Sequence, residues 1–208
     1  MTSCARHKCL CISDNFNECI HRYEVASRAT SKWPVPGRPL GLSVTSSGNL
    51  LAACRCSGEN EPDKLVELHV DSGQCVREIA LQSDIQRPHH SVELTSGQYV
   101  VCHGGYGNLH QVYIVGDDGK VARSYGGQQG SGTGQLNYPY HLAVDNEDSK
   151  SIFVADTHNQ RVAMLSPRLK FVRYLCEGLS DPRRLFFQEA TRRLFVGHSD
   201  GDVTVMQL

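Results

Sequence analysis

An all-β protein assembled from repeated four-stranded antiparallel units is what the sequence predicts, and three observations predict it. No stretch of roughly 11 or more residues carries apolar positions at helical spacing. Short apolar runs recur instead, at 40–44, 50–54, 65–70, 99–102, 111–115, 152–155, 161–165 and 194–196, separated by Gly, Ser, Asn and Asp. The runs also keep a period. Pro39, Pro88, Pro139 and Pro182 each precede an apolar segment at intervals of 49, 51 and 43 residues, and a second run follows each, centred on Leu51, Val100, Phe153 and Phe195. A repeat of about 40–50 residues with room for four strands is the pattern of a β-propeller blade.

Within a unit, strand a follows the Pro, then a turn, strand b, a loop, strand c, a turn and strand d. Thr45-Ser46-Ser47-Gly48-Asn49 and Thr95-Ser96-Gly97-Gln98 join a to b, while Asp71-Ser72-Gly73-Gln74 and Gly116-Asp117-Asp118-Gly119-Lys120 join c to d. Gly supplies the positive φ of a tight hairpin, and Asp or Ser bonds to the backbone two residues on. The array extends to the N-terminal side. Ile12-Ser13-Asp14-Asn15-Phe16-Asn17-Glu18-Cys19-Ile20 superposes without gaps on Val154-Ala155-Asp156-Thr157-His158-Asn159-Gln160-Arg161-Val162, an offset of 142. The expected organisation is an extension at 1–8, a partial blade at 9–33 lacking strand a, blades at 34–81, 82–127 and 128–176, and a partial blade at 177–208 that stops before strand d. Five units with incomplete ends imply part of a six-bladed ring and a piece of a longer protein.

With 21 Lys and Arg against 22 Asp and Glu, the chain has a net charge of −1 and no long-range field to attract nucleic acid or an anionic membrane. Its longest apolar run is 50–54, far below the roughly 20 residues that cross a bilayer, and no signal-type apolar stretch follows Met1. Nine cysteines without a framework of spacings point to reduced, buried thiols. A cytoplasmic location follows as the expectation.

The run Ile152-Phe153-Val154-Ala155-Asp156-Thr157-His158-Asn159-Gln160-Arg161-Val162, preceded by Gly134-Gln135-Leu136-Asn137-Tyr138-Pro139, resembles the NHL repeat. The resemblance is specific in the fourth unit, good in the first, and loose in the second and third, where longer loops replace the Asp-x-x-Asn step. It implies a propeller that serves as the recognition part of larger proteins such as tripartite-motif ubiquitin ligases, whose relatives bind protein or RNA. Asp14, Asn17, Asp156, Asn159 and Arg161 fall on the repeat's motif. Independently of the family, side-chain oxygens at the exit of strand b can accept N–H groups of the tight b-to-c crossing, a structural role.

Cys4-x2-His7-x-Cys9-x-Cys11 has zinc-type donors but no second arm, and its cysteines keep the apolar rhythm of a strand. The glycine-rich run 126–134 lacks the Lys-Ser/Thr and the helix of a phosphate loop and reads as a flexible link. No Gly-x-Ser-x-Gly elbow or His-Glu-x-x-His motif occurs. His89, His90, His141 and His198 are noted because some propeller enzymes bind metal through channel histidines. The expectation is a non-enzymatic module with no cofactor, no metal and no small-molecule substrate.

Antiparallel order places the d-to-a links and the b-to-c loops on one side of the disc. Acidic residues outnumber basic ones there, 11 to 7, which disfavours a phosphate-binding face. The same segments hold seven of the ten His, with Phe16, Tyr106, Tyr138 and Tyr140. Aromatic rings with a few Arg suit a peptide or protein partner. Tyr138, Tyr140, His141, His158, Arg183 and Arg184 are the expected contact residues. Single-stranded RNA, stacked on the same rings, is the alternative partner.

Overall fold

Five antiparallel sheets follow one another along the chain in the computed structural model, which describes every residue except 59–60 and 105–108. Blade one is β1 (Thr2–Cys4), β2 (Cys9–Asp14), β3 (Cys19–Glu24) and β4 (Thr30–Pro34). Blade two is β5 (Arg38–Val44), β6 (Leu50–Arg55), β7 (Lys64–Leu68) and β8 (Cys75–Ala80). Blade three is β9 (Pro88–Glu93), β10 (Tyr99–His103), β11 (Leu109–Val115) and β12 (Val121–Gln128). Blade four is β13 (Pro139–Val144), β14 (Ile152–Asp156), β15 (Arg161–Leu165) and β16 (Phe171–Glu177). Blade five has three strands, β17 (Pro182–Gln188), β18 (Arg193–His198) and β19 (Val203–Gln207). Strands pair in chain order within every sheet, so the molecule is a β-propeller of five blades.

The expected extension at 1–8 is corrected at this point. Thr2–Cys4 pairs with β2 in the register Thr2↔Cys11 and Cys4↔Cys9, which gives blade one its strand a. Three residues of which one, Cys4, is buried leave no period to read in a sequence.

The central strands of blades two, three and four are buried on both faces because each of these blades packs between two others. Strands β6, β10 and β14 therefore read as unbroken apolar runs rather than as alternation. Each fully buried Leu or Phe side chain, such as Leu51 or Phe153, contributes about 1.5–3 kcal/mol. Four apolar clusters fill four joints, with Cys11 and Leu50 between blades one and two, Leu65 and Val101 between two and three, Val112 and Val154 between three and four, and Phe153 and Phe187 between four and five. Among the described residues no such cluster joins blade five to blade one. Phe186, Val203 and Val205 on blade five and Ile12 on blade one remain exposed.

Hairpin turns lie where the glycines place them. Gly48 has φ +87°, and its N–H donates to Thr45 O at 2.9 Å. Gly73 has φ +70° and lies under the Trp33 indole, where a Cβ would stand 2.2 Å from the ring. The opposite side of the disc is set by bonds between links and loops. Val35 N–H donates to Glu18 O at 3.0 Å, Leu81 N–H to Asp63 O at 2.8 Å, and Leu179 N–H to Gln160 O at 2.8 Å. Among the described residues the helices are two single 3₁₀ turns, and none is long and apolar enough to cross a membrane. All nine cysteines are free thiols, six of them buried; Cys4, Cys9 and Cys11 belong to the first core cluster.

Candidate functional site

The residue after each repeat proline sits in a β-bulge. Pro139 pairs with Asp156 and His141 with Ala155, so Tyr140 is left between them. In the same way His89 lies between paired Pro88 and His90, and Arg183 between Pro182 and Arg184. A bulge adds a residue to one strand and re-aims its side chain. The residues before these prolines, Arg87, Tyr138 and Asp181, adopt φ of +55°, +60° and +45°. For non-glycine residues that conformation costs on the order of 1 kcal/mol and persists where surrounding bonds over-determine it. At Tyr138 those bonds are its N–H to His110 Nδ1 at 2.6 Å and its carbonyl from Thr157 N–H at 3.3 Å.

The bulged side chains gather on the loop-rich side. His89 lies 4.9 Å from Tyr138 and 5.1 Å from Tyr140, ring centre to ring centre. Tyr138 stacks on His158 at 4.6 Å with a 7° interplanar angle. The guanidinium carbons of Arg183 and Arg184 stand 5.4 and 5.2 Å from the centre of the Tyr140 ring, within cation–π range. Arg183 is also paired with Asp181 at 3.5 Å, whereas Arg184 is exposed and donates from Nη1 to Arg183 O at 2.9 Å.

The next residue in blades three, four and five lines a central cavity bordered by all five blades. Gly41, His90, His141 and Arg184 occupy this position in blades two to five. A side chain at Gly41 would meet His90 Cδ2 at 2.6 Å, so the glycine makes room for that imidazole. His90 and His141 stack at 3.7 Å. His90 Nε2–H donates to Leu42 O at 3.2 Å, while its Nδ1 accepts Leu142 N–H at 3.4 Å. His141 Nδ1 accepts Leu185 N–H at 3.3 Å. These contacts tie strands of different blades together and require neutral rings. Burial holds the His90 pKa down at about 3, despite the bond to Leu42 O, with Arg184 adding to the depression. Burial, His90 and Arg184 together hold His141 well below the usual range. His90, His141 and Arg184 line a cavity of about 680 Å³, with Leu42, Leu142 and Leu185 also on its walls and Leu10 of blade one and Phe186 and Phe195 of blade five bordering it.

Of the six expected contact residues, the structure gathers Tyr138, Tyr140, His158, Arg183 and Arg184 into one cluster and sends His141 into the channel wall. It adds His89, which the sequence offered only as one of four histidines that a channel metal could use. The signal was present, because Pro88-His89, Pro139-Tyr140 and Pro182-Arg183 are the same repeat position. Tyr106, and Glu59 among the acidic residues counted on that side, lie outside the described residues. His198 bonds Ser180 O and Thr204 Oγ1 rather than joining the other histidines.

The motif residues form two separate hubs. In blade four Asp156, fully buried, accepts Asn137 N–H at 2.6 Å, Asn159 Nδ2–H at 2.8 Å and Arg161 Nε–H at 2.8 Å. Burial pushes the Asp156 carboxyl up, against the pull of these donors. Arg161 also donates to Ser131 O and Gln135 O, and Asn159 to Gly130 O. The glycine-rich run read as a flexible link is thus anchored by the motif. In blade one Asp14 accepts Asn17 N–H at 3.1 Å and Asn17 Nδ2–H at 2.8 Å.

No family model matches the chain, and no curated protein matches it. Solved structures do. A protein of unknown function from Bacteroides caccae has a TM-score of 0.72 at 14% identity, over 96% of this chain and 74% of that one. A catalytically inactive variant of virginiamycin B lyase from Staphylococcus aureus, with quinupristin, gives 0.63 at 9% identity over 99% and 68%. Hydrazine synthase of Kuenenia stuttgartiensis gives 0.64 at 13% over 97% and 80%. Identities this low establish the propeller fold, and the NHL relation stays a resemblance of motif. The expectation of a non-enzymatic protein is corrected: the neighbours include lyases built on this fold, so neither the fold nor the missing motifs exclude catalysis.

Proposed function

We propose that this propeller recognises a protein partner at the channel mouth, through a segment that pairs a carboxylate with an apolar side chain. The observation that carries the reading is Tyr140 with two guanidinium groups within cation–π range of its ring and His89, Tyr138 and His158 clustered beside it. Tyr and Arg at the centre of a patch are the residue types that dominate interface energies. Arg184 presents the exposed cation for the carboxylate. The leucine-lined cavity that it borders takes the apolar group.

RNA recognition requires several Lys or Arg in one patch. The mouth offers Arg183 and Arg184, and Asp181 already engages the first. Peptide is therefore the preferred ligand.

Selection from a displayed random-peptide library tests the proposal. Enriched sequences are expected to place Asp or Glu beside an apolar residue. Tyr140→Ala with Arg184→Ala should weaken them at least about tenfold while leaving the circular dichroism spectrum unchanged. Equal binding by the double variant rejects the site. Retention of a random single-stranded RNA pool, with affinity falling steeply in salt, reverses the choice of partner.

A further inference from the structure

We propose that Asp14, Cys19 and His21 form a site for a divalent metal ion of the zinc class at the b-to-c crossing of blade one. The site is independent of the channel mouth and draws on residues that the recognition reading leaves unused.

Strand geometry brings the three donors together. Asp14 ends β2 directly opposite Cys19, which begins β3, and His21 lies two residues further along β3, on the same face of the sheet. Their ligand atoms all fall within 4.8 Å of one another. His21 Nε2 is 3.4 Å from Asp14 Oδ2 and 3.5 Å from Cys19 Sγ. A tetrahedral zinc ion with ordinary bond lengths needs a nitrogen–oxygen edge of about 3.4 Å and a nitrogen–sulfur edge of about 3.5 Å. The two separations therefore match the edges of a zinc coordination shell. Asn17, donating to both carboxylate oxygens, fixes the orientation of Asp14 as an outer-shell partner does.

Blade four supplies an internal reference. At the matched positions it carries Asp156, Arg161 and Ala163, and Arg161 places a guanidinium against the aspartate at 2.8 Å. Blade one replaces that arginine with a thiol and the alanine with an imidazole, so its aspartate faces donors suited to a soft metal in place of a built-in cation. The side chains of Asp14 and His21 are 27% and 41% exposed, which gives an ion access, while Cys19 lies buried beneath them. Among the described residues no fourth His, Cys, Asp or Glu joins the group, and the fourth position falls to water or to a donor from outside. On binding, the Cys19 thiol gives its proton to solvent and coordinates as thiolate.

Titration of the reduced, metal-stripped full chain with Co²⁺ tests the site. The expected result is a thiolate-to-cobalt absorption band of one-to-one stoichiometry that equimolar Zn²⁺ bleaches. Cys19→Ser should remove the band, and His21→Ala, a change at a half-exposed side chain, should weaken Co²⁺ at least about tenfold. Cys75→Ser, at an exposed thiol of blade two, should leave it intact. Absence of the band, or a band unaltered by His21→Ala, overturns the proposal. Should Cys19→Ser fail to fold, the His21→Ala titration decides alone.

Discussion

Blades one and four carry the same Asp-x-x-Asn crossing and use it differently. In blade four the aspartate is sealed, with Asp156 fully buried and Arg161 7% exposed. Its arginine and Asn159 reach back to Gly130, Ser131 and Gln135 and lash the long link between blades three and four to the crossing. In blade one the aspartate stays partly exposed and holds its own turn through Asn17. The motif is thus a scaffold whose task is set by the fifth residue after the aspartate. An arginine there makes a structural joint, and with a cysteine there the aspartate stays partly open beside a histidine.

The largest effect expected from this contrast comes from removing the joint. Arg161→Leu leaves Asp156 buried with a charge that has lost its partner, a change that costs about 3–5 kcal/mol. It also releases the carbonyls of Ser131 and Gln135, so proteolysis within 126–134 should accelerate. Denaturant unfolding measures the first effect and limited proteolysis the second. Removing the side chain that faces the aspartate in blade one, His21→Ala, touches a half-exposed contact and should cost at most about 0.5 kcal/mol. Equal costs at the two sites would break the comparison.

Acid should sharpen it. His90, buried, and His141, half-buried, link blades two to five as neutral rings of the channel wall, while among the described residues no apolar cluster joins blade five to blade one. A histidine whose folded pKa lies below its unfolded value stabilises the fold above the unfolded pKa. For His90 that contribution fades as pH falls from about 6.5 toward about 3. The unfolded chain binds the extra proton, and His90 adds a slope of about 1.4 kcal/mol per pH unit in that window, while His141 acts in the same direction. The melting temperature should therefore fall on acidification. His90→Gln and His141→Gln are expected to flatten the dependence, whatever they do to stability at neutral pH.

What the sequence revealed and what it hid follow from range. The proline phase, the turn glycines at 48, 73, 97 and 119, and the offset of 142 between blades one and four are local or periodic signals, and each marks an observed element. Strand β1 is too short for a period. The bulges were hidden for another reason: a bulge shifts the side-chain alternation by one residue, and only pairing to the next strand reveals it. This is why Tyr140 and His141, neighbours in sequence, point to the mouth and to the channel. The anchoring of 126–134 was invisible because Arg161 reaches about 30 residues back. The Asp14, Cys19 and His21 group was likewise masked, because its donors belong to two strands and match no linear metal motif.

The smallest predicted effect is the most direct measure of how the two crossings differ. Asn17 is exposed, and Asn17→Ala keeps the backbone N–H bond to Asp14 Oδ1 while losing the one from Nδ2. Water can replace that donor, so the cost should stay near about 0.5 kcal/mol. Asn159→Ala removes two bonds from a half-buried side chain, one to Asp156 Oδ2 and one to Gly130 O, and leaves the buried carboxylate short of a donor. Its cost should reach about 1–3 kcal/mol. Because the two asparagines hold identical positions in the repeat, their intrinsic turn preference cancels, and the difference in unfolding free energy reports burial and the tie to the link. A difference near zero would mean that the Gly130 bond carries no load and that Arg161 alone fastens the link.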